Sequence, residues 1–477
     1  MVADLSKKLV NSFLILLISR FLGVSAMGSY SIAHTYFSFG LLFSYWGFGN
    51  LLTREVAKDK TRYSKYLSNF SIIRIVFALI SILIINILVI NLDYIEQTKL
   101  TIQILSIGII ANTIINLIYA LFISFEKLKY LSIISLIVSI LRVFISYLAL
   151  KFGGSVVTIA FFYTIMEFIS LLISILFALK FLKDFQFNFD FKFCIDQIIK
   201  AFPFFWIAIL VILDSRVEVL IISFFYNESY VGYYTAMNTV MGGVALFSEG
   251  VRNAVFPIFA RYQYQFPERL GGIVLMLGKY ISLVTFPVAI SIFFFAEKLI
   301  SLFFNFNFDI STTLLQIVIW TFISYTLTVV TIRLLMVHNK EKKVVLSLLI
   351  SSILTLVLNI LLAPTFGLVG IATVRLITSV ILLLLCLYFL SKQGYKIIDP
   401  TVLLRISIAS VALFLSVHFL FPINPYFSLV TGYLFYAGVI WLTKVISPKD
   451  IQLWKEIFNN IFNLSFENNK NKLDKLS

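Results

Sequence analysis

Charged residues are scarce in this chain. Asp, Glu, Lys and Arg make up only 13% of its 477 residues, roughly half the usual share in a globular protein, whereas 60% of the residues are hydrophobic. A soluble domain needs more charge to cover its surface, so an ordinary soluble protein is excluded. Apolar runs long enough to cross a bilayer follow one another with short gaps, which predicts a polytopic membrane protein.

Residues and motifs that build cofactor sites are also few. The two cysteines, Cys194 and Cys386, show neither pairing nor metal-ligand spacing, and the three histidines are scattered. No G-x-x-x-x-G-K-[S/T] motif occurs, which excludes transport driven by ATP bound to this chain. We therefore expect no metal and no cofactor. The predicted outer loops are short and carry no D-x-D pair, so a transporter is favoured over an enzyme.

The hydrophobic segments predict an all-α integral membrane protein of about fourteen transmembrane helices, the first of them short. The predicted spans are 9–23, 29–49, 69–92, 100–123, 131–150, 155–180, 201–224, 230–256, 273–296, 312–335, 343–362, 368–390, 401–421 and 427–446. We expect an N-terminal six-helix lobe (1–182), a cytoplasmic linker (183–200), a C-terminal six-helix lobe (201–391), two additional helices (400–446) and an amphipathic cytoplasmic tail (447–477).

The distribution of basic residues predicts the orientation of these spans. With the N-terminus in the cytoplasm, the inner segments carry 26 Lys and Arg, and the outer loops carry only Lys99, Lys151 and Lys298. Such a bias is typical of cytoplasmic loops. It places both termini on the cytoplasmic side of a cell (inner) membrane. It also accounts for most of the net charge of +15, so no nucleic-acid partner is expected.

Matching motifs recur in the two predicted lobes. Gly28-Ser29-Tyr30-Ser31 opens span two and Gly232-Tyr233-Tyr234-Thr235 opens span eight, while Phe152-Gly153 and Phe366-Gly367 precede spans six and twelve. Each pair matches in topological position as well as in residues. Two six-helix pseudo-repeats followed by two extra helices explain the pattern, and transporters built from repeats commonly bind substrate between them.

Several motifs also carry a family resemblance. They are Ser19-Arg20-Phe21-Leu22-Gly23 before Met27-Gly28-Ser29-Tyr30, Gly47-Phe48-Gly49 before Thr53-Arg54-Glu55, Val231-Gly232-Tyr233-Tyr234-Thr235-Ala236, and Leu358-Asn359 through Pro364-Thr365-Phe366-Gly367 to Gly370. In this order they resemble the polysaccharide (O-antigen-type) flippase family of the multidrug/oligosaccharidyl-lipid/polysaccharide exporter superfamily. The stretch before Arg20 is shorter than is usual in that family.

The resemblance implies a substrate and a cycle. Members of the family carry a polyprenyl-pyrophosphate-linked oligosaccharide from the cytoplasmic to the outer leaflet by alternating access, for assembly of a cell-surface polysaccharide. The implied partners are this lipid-linked glycan, the surrounding membrane lipids, and a glycan polymerase or glycosyltransferases. Two other hypotheses stay open: a cation or drug antiporter of the same fold, and a membrane enzyme of envelope glycan assembly.

Arginine is in excess among the charges inside the predicted spans. Each such charge costs at least ~2.5 kcal/mol at mid-depth, so it marks a candidate functional position. Eight Arg and Lys279 stand against Glu167, Asp214, Glu218 and Glu249. Because the guanidinium fork matches phosphate oxygens, this excess favours an anionic substrate over a cationic drug. We predict that four arginines line the substrate pathway: Arg20, Arg142, Arg216 and Arg375.

The remaining span charges divide into two groups. Asp214 and Glu218 are four residues apart and share a helix face, while Arg216 points to the other side. Together with Glu167 they are predicted ion-coupling residues, since a carboxylate in a partly cationic cavity can bind and release a proton. Arg142 and Glu167 lie at similar depth, so a purely structural ion pair is the alternative. Four arginines nearer inner ends are predicted to snorkel or face loops: Arg74, Arg252, Arg333 and Arg405.

Overall fold

A computed structural model describes residues 2–180, 182, 185–304, 309–447 and 450, without the side chains of residues 2–9, 203, 207, 211, 214 and 215. Within these residues the fold is all-α and contains no strand. The helices are α1 (Val2–Tyr45), α2 (Phe48–Lys58), α3 (Tyr63–Ile90), α4 (Glu96–Ser124), α5 (Leu128–Lys151), α6 (Val156–Leu179), α7 (Phe191–Phe225), α8 (Glu228–Gln265), α9 (Pro267–Phe303), α10 (Asp309–Val318), α11 (Thr321–Val337), α12 (Glu341–Ser391), α13 (Pro400–Leu420) and α14 (Pro425–Leu442), with a 3₁₀ turn at Lys60–Arg62. The predicted amphipathic tail beyond residue 450 lies outside this description.

The helices have the length and apolarity that the hydropathy predicts. Nine helices in the described ranges could cross a membrane, or eleven if each of two bent pairs counts as one span. The long helices α1 and α12 are broken at Gly23 (φ 85°) and Gly367 (φ 61°), where the boundaries between spans one and two and between spans eleven and twelve are predicted. The all-α membrane fold is confirmed, and the number fourteen stays a prediction.

The outward faces of the helices are apolar. Leu79, Leu83 and Ile87 follow one another at helical spacing on α3, and all three are more than half exposed. A continuous apolar face of this kind is unfavourable in water and favourable against lipid chains. The exterior therefore matches a hydrocarbon environment.

Two compact units make up the chain. The first contains residues 1–243, 297–317 and 348–375, and the second contains 244–296, 318–347 and 376–477. Phe48, Phe70 and Phe122 belong to the apolar core of the first unit. In the second unit, α13 and α14 pack together, and the Tyr436 hydroxyl donates to the main-chain oxygen of Leu283 at 3.0 Å. These units divide the chain differently from the predicted six-helix lobes, whose boundaries stay a prediction.

The predicted repeat has a counterpart in backbone conformation. Gly153 and Gly367, in the two Phe-Gly motifs, both have positive φ, at 81° and 61°. Glu126 and Asn339, in the loops that precede spans five and eleven, share the left-handed region at 60° and 55°. Few residues other than glycine adopt this conformation, so agreement at two pairs of positions supports duplication.

The repeat-related glycines Gly28 and Gly232 let two helices cross closely. A Cβ atom on Gly28 would collide with the main-chain oxygen of Glu228, and one on Gly232 would collide with that of Val24. Because neither glycine has a side chain, α1 and the start of α8 approach backbone to backbone. The buried Glu228 carboxylate also accepts two hydrogen bonds of 3.1 Å from the start of α4. Three helices of the first unit are joined at this crossing.

The linker between the predicted lobes becomes helical at Phe191, where α7 begins. Asp190 caps this helix, since its carboxylate accepts from the Phe193 amide at 2.9 Å and from the Lys65 ammonium at 3.1 Å. The amide and the ammonium both favour the charged form, so they hold the pKa of Asp190 below its ordinary value. The cap and the ion pair fix where α7 begins.

Candidate functional site

Arg142 and Glu167 form a buried ion pair between α5 and α6. The guanidinium Nη2 lies 2.7 Å from Glu167 Oε1, and the second carboxylate oxygen accepts from Asn112 Nδ2 at 2.9 Å. The Arg142 guanidinium also lies over the Tyr163 ring, 3.9 Å from its centroid. Both carboxylate oxygens thus have donors, which a charge held away from water requires. We call Asn112, Asn116, Arg142, Tyr163 and Glu167 the first cluster.

Two asparagines extend the first cluster along α4. Asn116 lies one turn after Asn112, and its Nδ2 donates to Asn112 Oδ1 at 2.6 Å. Both residues, with Ser139, Arg142 and Glu167, line a cavity of about 130 Å³. Amide and hydroxyl groups can each donate and accept hydrogen bonds. The cavity is therefore polar and can hold a hydrogen-bonding group.

An aromatic wall from α1 flanks the first cluster. His34 lies between Tyr30 and Tyr163, with ring centroids 5.8 and 5.7 Å away. The His34 side chain is buried, and neither ring nitrogen has a hydrogen-bond partner among the described residues. A single histidine shows no metal-ligand spacing, so sequence patterns do not single out His34.

A second cluster contains Glu218, Tyr234, Asn238 and Arg375. The Tyr234 hydroxyl donates to Glu218 Oε2. Arg375 Nη1 donates to Tyr234 Oη at 2.9 Å and to Asn238 Oδ1 at 2.7 Å. The same nitrogen lies 3.5 Å from Glu218 Oε2. In both clusters, neutral polar side chains of a neighbouring helix hydrogen-bond the charged groups. In the second cluster these side chains are Tyr234 and Asn238, one turn apart on α8.

The other predicted site residues are placed differently. Arg20 is exposed, and its Nη2 donates to the main-chain oxygen of Leu302 at 3.3 Å. No hydrogen bond or ion pair within the described ranges joins Arg20 to either cluster. Arg216 is half-buried and close enough to Tyr30 and Tyr163 to interact electrostatically with their hydroxyls. Asp214 has a side chain outside the described set, so its predicted role stays a prediction.

One of the cations in the predicted excess of positive charge within the spans is paired in the structure. Lys279, one of the cations counted within the spans, forms an ion pair with the Asp450 carboxylate and donates to the main-chain oxygen of Val445 at 3.2 Å. Both contacts lie in the second unit. Lys279 therefore anchors the chain that follows α14 and is not a free cation of the pathway.

The prediction that Arg74 snorkels is wrong. Its side chain on α3 is fully buried, with 0% relative exposure, because neighbouring helices cover the face of α3 that carries it. By contrast, Arg405 is exposed and donates to the main-chain oxygen of Thr443 at 2.9 Å, as a loop-facing arginine should. Distance along a helix predicts depth in the bilayer, but it does not predict which side neighbouring helices cover.

Comparisons with known proteins identify related chains. A family model described as polysaccharide biosynthesis protein matches residues 1–263. The probable low-salt glycan biosynthesis flippase Agl15 of Haloferax volcanii is 26% identical over 181 residues. That match covers 37% of this chain and 38% of Agl15, so the chain matches well under half of the relative's length.

Two solved structures share this fold over most of the chain. The lipid II flippase MurJ in an inward closed conformation has a TM-score of 0.76 and 16% identity, covering 94% of this chain and 98% of MurJ. An inward-facing multidrug resistance MATE family transporter of the MOP superfamily has a TM-score of 0.64 and 14% identity, covering 81% and 94%. At these identities the likeness shows a shared fold.

Proposed function

Because the chain belongs to the polysaccharide biosynthesis protein family, we propose that it is a flippase for a polyprenyl-pyrophosphate-linked oligosaccharide. It carries this substrate from the cytoplasmic to the outer leaflet for assembly of a cell-surface polysaccharide. The names of its relatives support the proposal, since Agl15 is described as a probable glycan biosynthesis flippase and MurJ as a lipid II flippase.

The observation that carries the proposal is the presence of two arginines inside the membrane fold, each in a cluster that contains a tyrosine and an asparagine. Arg142 has Tyr163 and Asn112 in its cluster, and Arg375 has Tyr234 and Asn238. Guanidinium groups are suited to a pyrophosphate, and hydroxyl and amide groups are suited to sugar hydroxyls. A cationic drug would find few acceptors here that are not already paired with arginine.

Alternating access with ion coupling is the proposed cycle. Arg375 contacts Glu218 at 3.5 Å, so a substrate phosphate that binds Arg375 competes with this carboxylate. A carboxylate that loses a cationic partner binds a proton more readily. Substrate binding then promotes proton binding, and the reverse step releases both. Glu167 and Asp214 are the other proposed coupling residues, and glycan polymerases or glycosyltransferases are proposed to use the product.

The loop asymmetry supports an orientation with both termini in the cytoplasm. In this orientation the 183–200 linker lies in the cytoplasm. The two six-helix lobes then receive the lipid-linked substrate from the cytoplasmic leaflet. Reporter fusions after Lys60 and Lys342 test this orientation, and a periplasmic signal at either position contradicts it.

The flippase is tested with the purified full chain in vesicles that contain a fluorescent polyprenyl-pyrophosphate oligosaccharide. We expect the fluorescent lipid to leave the leaflet on the cytoplasmic side of the protein. The rate of this movement should be well above that in protein-free vesicles. Arg142→Ala and Arg375→Ala should abolish this movement, and the Arg→Lys variants should restore only part of it, because an ammonium lacks the bidentate fork. Arg405→Ala, which alters an exposed arginine of α13, is the matched control.

A negative result has a specific meaning in this assay. Movement no faster than in protein-free vesicles for a panel of lipid-linked sugars contradicts the flippase. Efflux of a cationic dye by the same vesicles would replace it with the antiporter hypothesis.

A further inference from the structure

Arg74 is a buried cation with an incomplete set of partners. Its Nε donates to the main-chain oxygen of Ser44 at 3.1 Å, and its guanidinium lies 5.5 Å from the centroid of the Tyr45 ring. Neither Nη1 nor Nη2 has an acceptor anywhere in the described part of the chain. A buried charge normally has partners, because leaving its donors unsatisfied costs several kcal/mol. Arg74 therefore needs an anion or water.

The space beside Arg74 can hold a ligand. Arg74 lines a cavity of about 350 Å³ with Tyr45, Asn50, Asn116 and Ala208, which we call the Arg74 pocket. Its volume lies in the range of ~300–1,000 Å³ typical of ligand pockets. Asn50 is exposed, so the pocket opens to the surface of the unit that contains it. No carboxylate is among the described residues that line it.

The composition of the Arg74 pocket selects the class of ligand. Arg74 has two guanidinium nitrogens without acceptors, Asn50 and Asn116 supply amides, and Leu41, Phe204 and Ile212 form an apolar wall. A phosphate oxygen pair fits the guanidinium fork. The apolar wall suits a hydrocarbon chain attached to that phosphate. A cation has no acidic partner here.

We propose that the Arg74 pocket binds a phosphate group, carried by a polyprenyl lipid or supplied as free phosphate. The site contains neither Arg142 nor Arg375, and it shares Asn116 with the first cluster. Phosphate binding does not depend on the proposed function. Only the identification of the lipid as the flippase substrate rests on it.

Equilibrium binding to the purified full chain in detergent tests this proposal with three probes: polyprenyl phosphate, uncharged polyprenol and inorganic phosphate. We expect polyprenyl phosphate to bind and polyprenol to bind far more weakly. Arg74→Met should weaken phosphate binding roughly 10- to 100-fold, the loss expected for hydrogen bonds to a charged group. Arg74→Lys should retain part of the affinity. Arg405→Met is the matched control and should bind like the wild type.

The probes also distinguish the two sources of phosphate. Inorganic phosphate that binds as tightly as the lipid identifies a free-phosphate site, and inorganic phosphate that binds much more weakly identifies a lipid headgroup. If Arg74→Met does not fold, Ala208→Trp decides the matter, because the indole fills the pocket while leaving Arg74 in place. Wild-type affinity for both phosphate probes in the folded variant, Arg74→Met or Ala208→Trp, overturns the site.

Binding is measured here without translocation, so the two proposals can fail separately. Arg74-dependent binding in a protein that flips no lipid-linked sugar contradicts the flippase and leaves the pocket standing. Flipping without Arg74-dependent binding contradicts the pocket alone.

Discussion

The first and second clusters use the same residue types but hold their charges differently. In the first cluster the arginine and carboxylate atoms are 2.7 Å apart, and the two side chains are 13% and 5% exposed. In the second cluster the separation is 3.5 Å, and Arg375 is 32% exposed. The first pair is short and buried, whereas the second shares its arginine with Tyr234 and Asn238. We infer that the first cluster binds its helices together more strongly and that the second exchanges partners more readily during transport.

The largest effect should come from removing one partner of the buried Arg142–Glu167 pair. Glu167→Ala leaves the Arg142 guanidinium buried without its carboxylate, which costs about 3–5 kcal/mol. We expect a sharp fall in membrane yield and in the unfolding temperature of the purified protein. The double variant Arg142→Met/Glu167→Leu should recover much of both, because no uncompensated charge remains. Export by the double variant decides the role of Arg142: normal glycan export makes the pair purely structural, and absent export assigns Arg142 to the pathway.

The next effect concerns energy coupling and should separate the clusters. An inward proton or sodium gradient should accelerate flipping in vesicles, and Glu218→Gln should remove that acceleration while substrate still binds. Coupling free energies are typically about 1–3 kcal/mol, so a loss of about fivefold or more is expected. Glu167→Gln is the comparison variant. Glu167 is another proposed coupling carboxylate, but its pair with Arg142 is shorter and more buried, so we expect this variant to lose less of the acceleration. Acceleration that survives Glu218→Gln but disappears in Glu167→Gln would reverse the roles of the two clusters.

A smaller effect is expected from the Tyr163 ring, which contacts the Arg142 guanidinium of the first pair. Replacing Tyr163 with leucine removes the ring beneath the Arg142 guanidinium, a contact worth about 0.5–2 kcal/mol. Tyr163→Phe keeps the ring and should lose less. Unfolding of both variants by denaturant in detergent gives the comparison. Equal losses would show that the tyrosine hydroxyl, and not the ring face, stabilises the arginine.

The smallest effect is expected for the Asp190–Lys65 ion pair, which is partly exposed to solvent. Asp190 has a lowered pKa, so its contribution to stability is present above the unfolded value of about 3.9 and is lost as the pH falls through the lower folded value. Asp190→Asn, which retains a side chain able to cap α7, should lower the unfolding temperature slightly at neutral pH. That difference should vanish in acid. Asp190→Ala should lower the unfolding temperature further, since the cap is lost too. A difference between the wild type and Asp190→Asn that grows in acid would contradict the lowered pKa of Asp190.

Sequence patterns predicted the helices well because membrane insertion averages hydrophobicity over about twenty residues. The breaks at Gly23 and Gly367 lie at predicted span boundaries, and the family resemblance is confirmed by the match over residues 1–263. Contacts between distant residues were harder to predict. Equal depth suggested the Arg142–Glu167 pair as one alternative, but nothing in the spacing of Glu218 and Arg375, 157 residues apart, indicates that they meet.

Neutral polar residues of the clusters were missed for a different reason. Asn112, Asn116, Tyr234 and Asn238 carry no charge, so the cost of burying ions in the bilayer does not mark them. A signal was present, since each helix places its two residues four positions apart on one face. The position of Arg74 along α3 indicates its depth but not its packing, and packing is what buries its side chain. Polar residues repeated at helical spacing inside a span are therefore worth as much attention as charges.

The crossing of α1 and α8 at Gly28 and Gly232 has a consequence for how this chain can evolve. At most contacts between side chains, a larger residue at one position is accommodated when the residue opposite becomes smaller. Here each glycine faces main-chain atoms of the other helix, and a backbone cannot become smaller. No second substitution compensates for a methyl group at either position. Two positions in intimate contact should therefore show no correlated variation, and each should accept glycine alone.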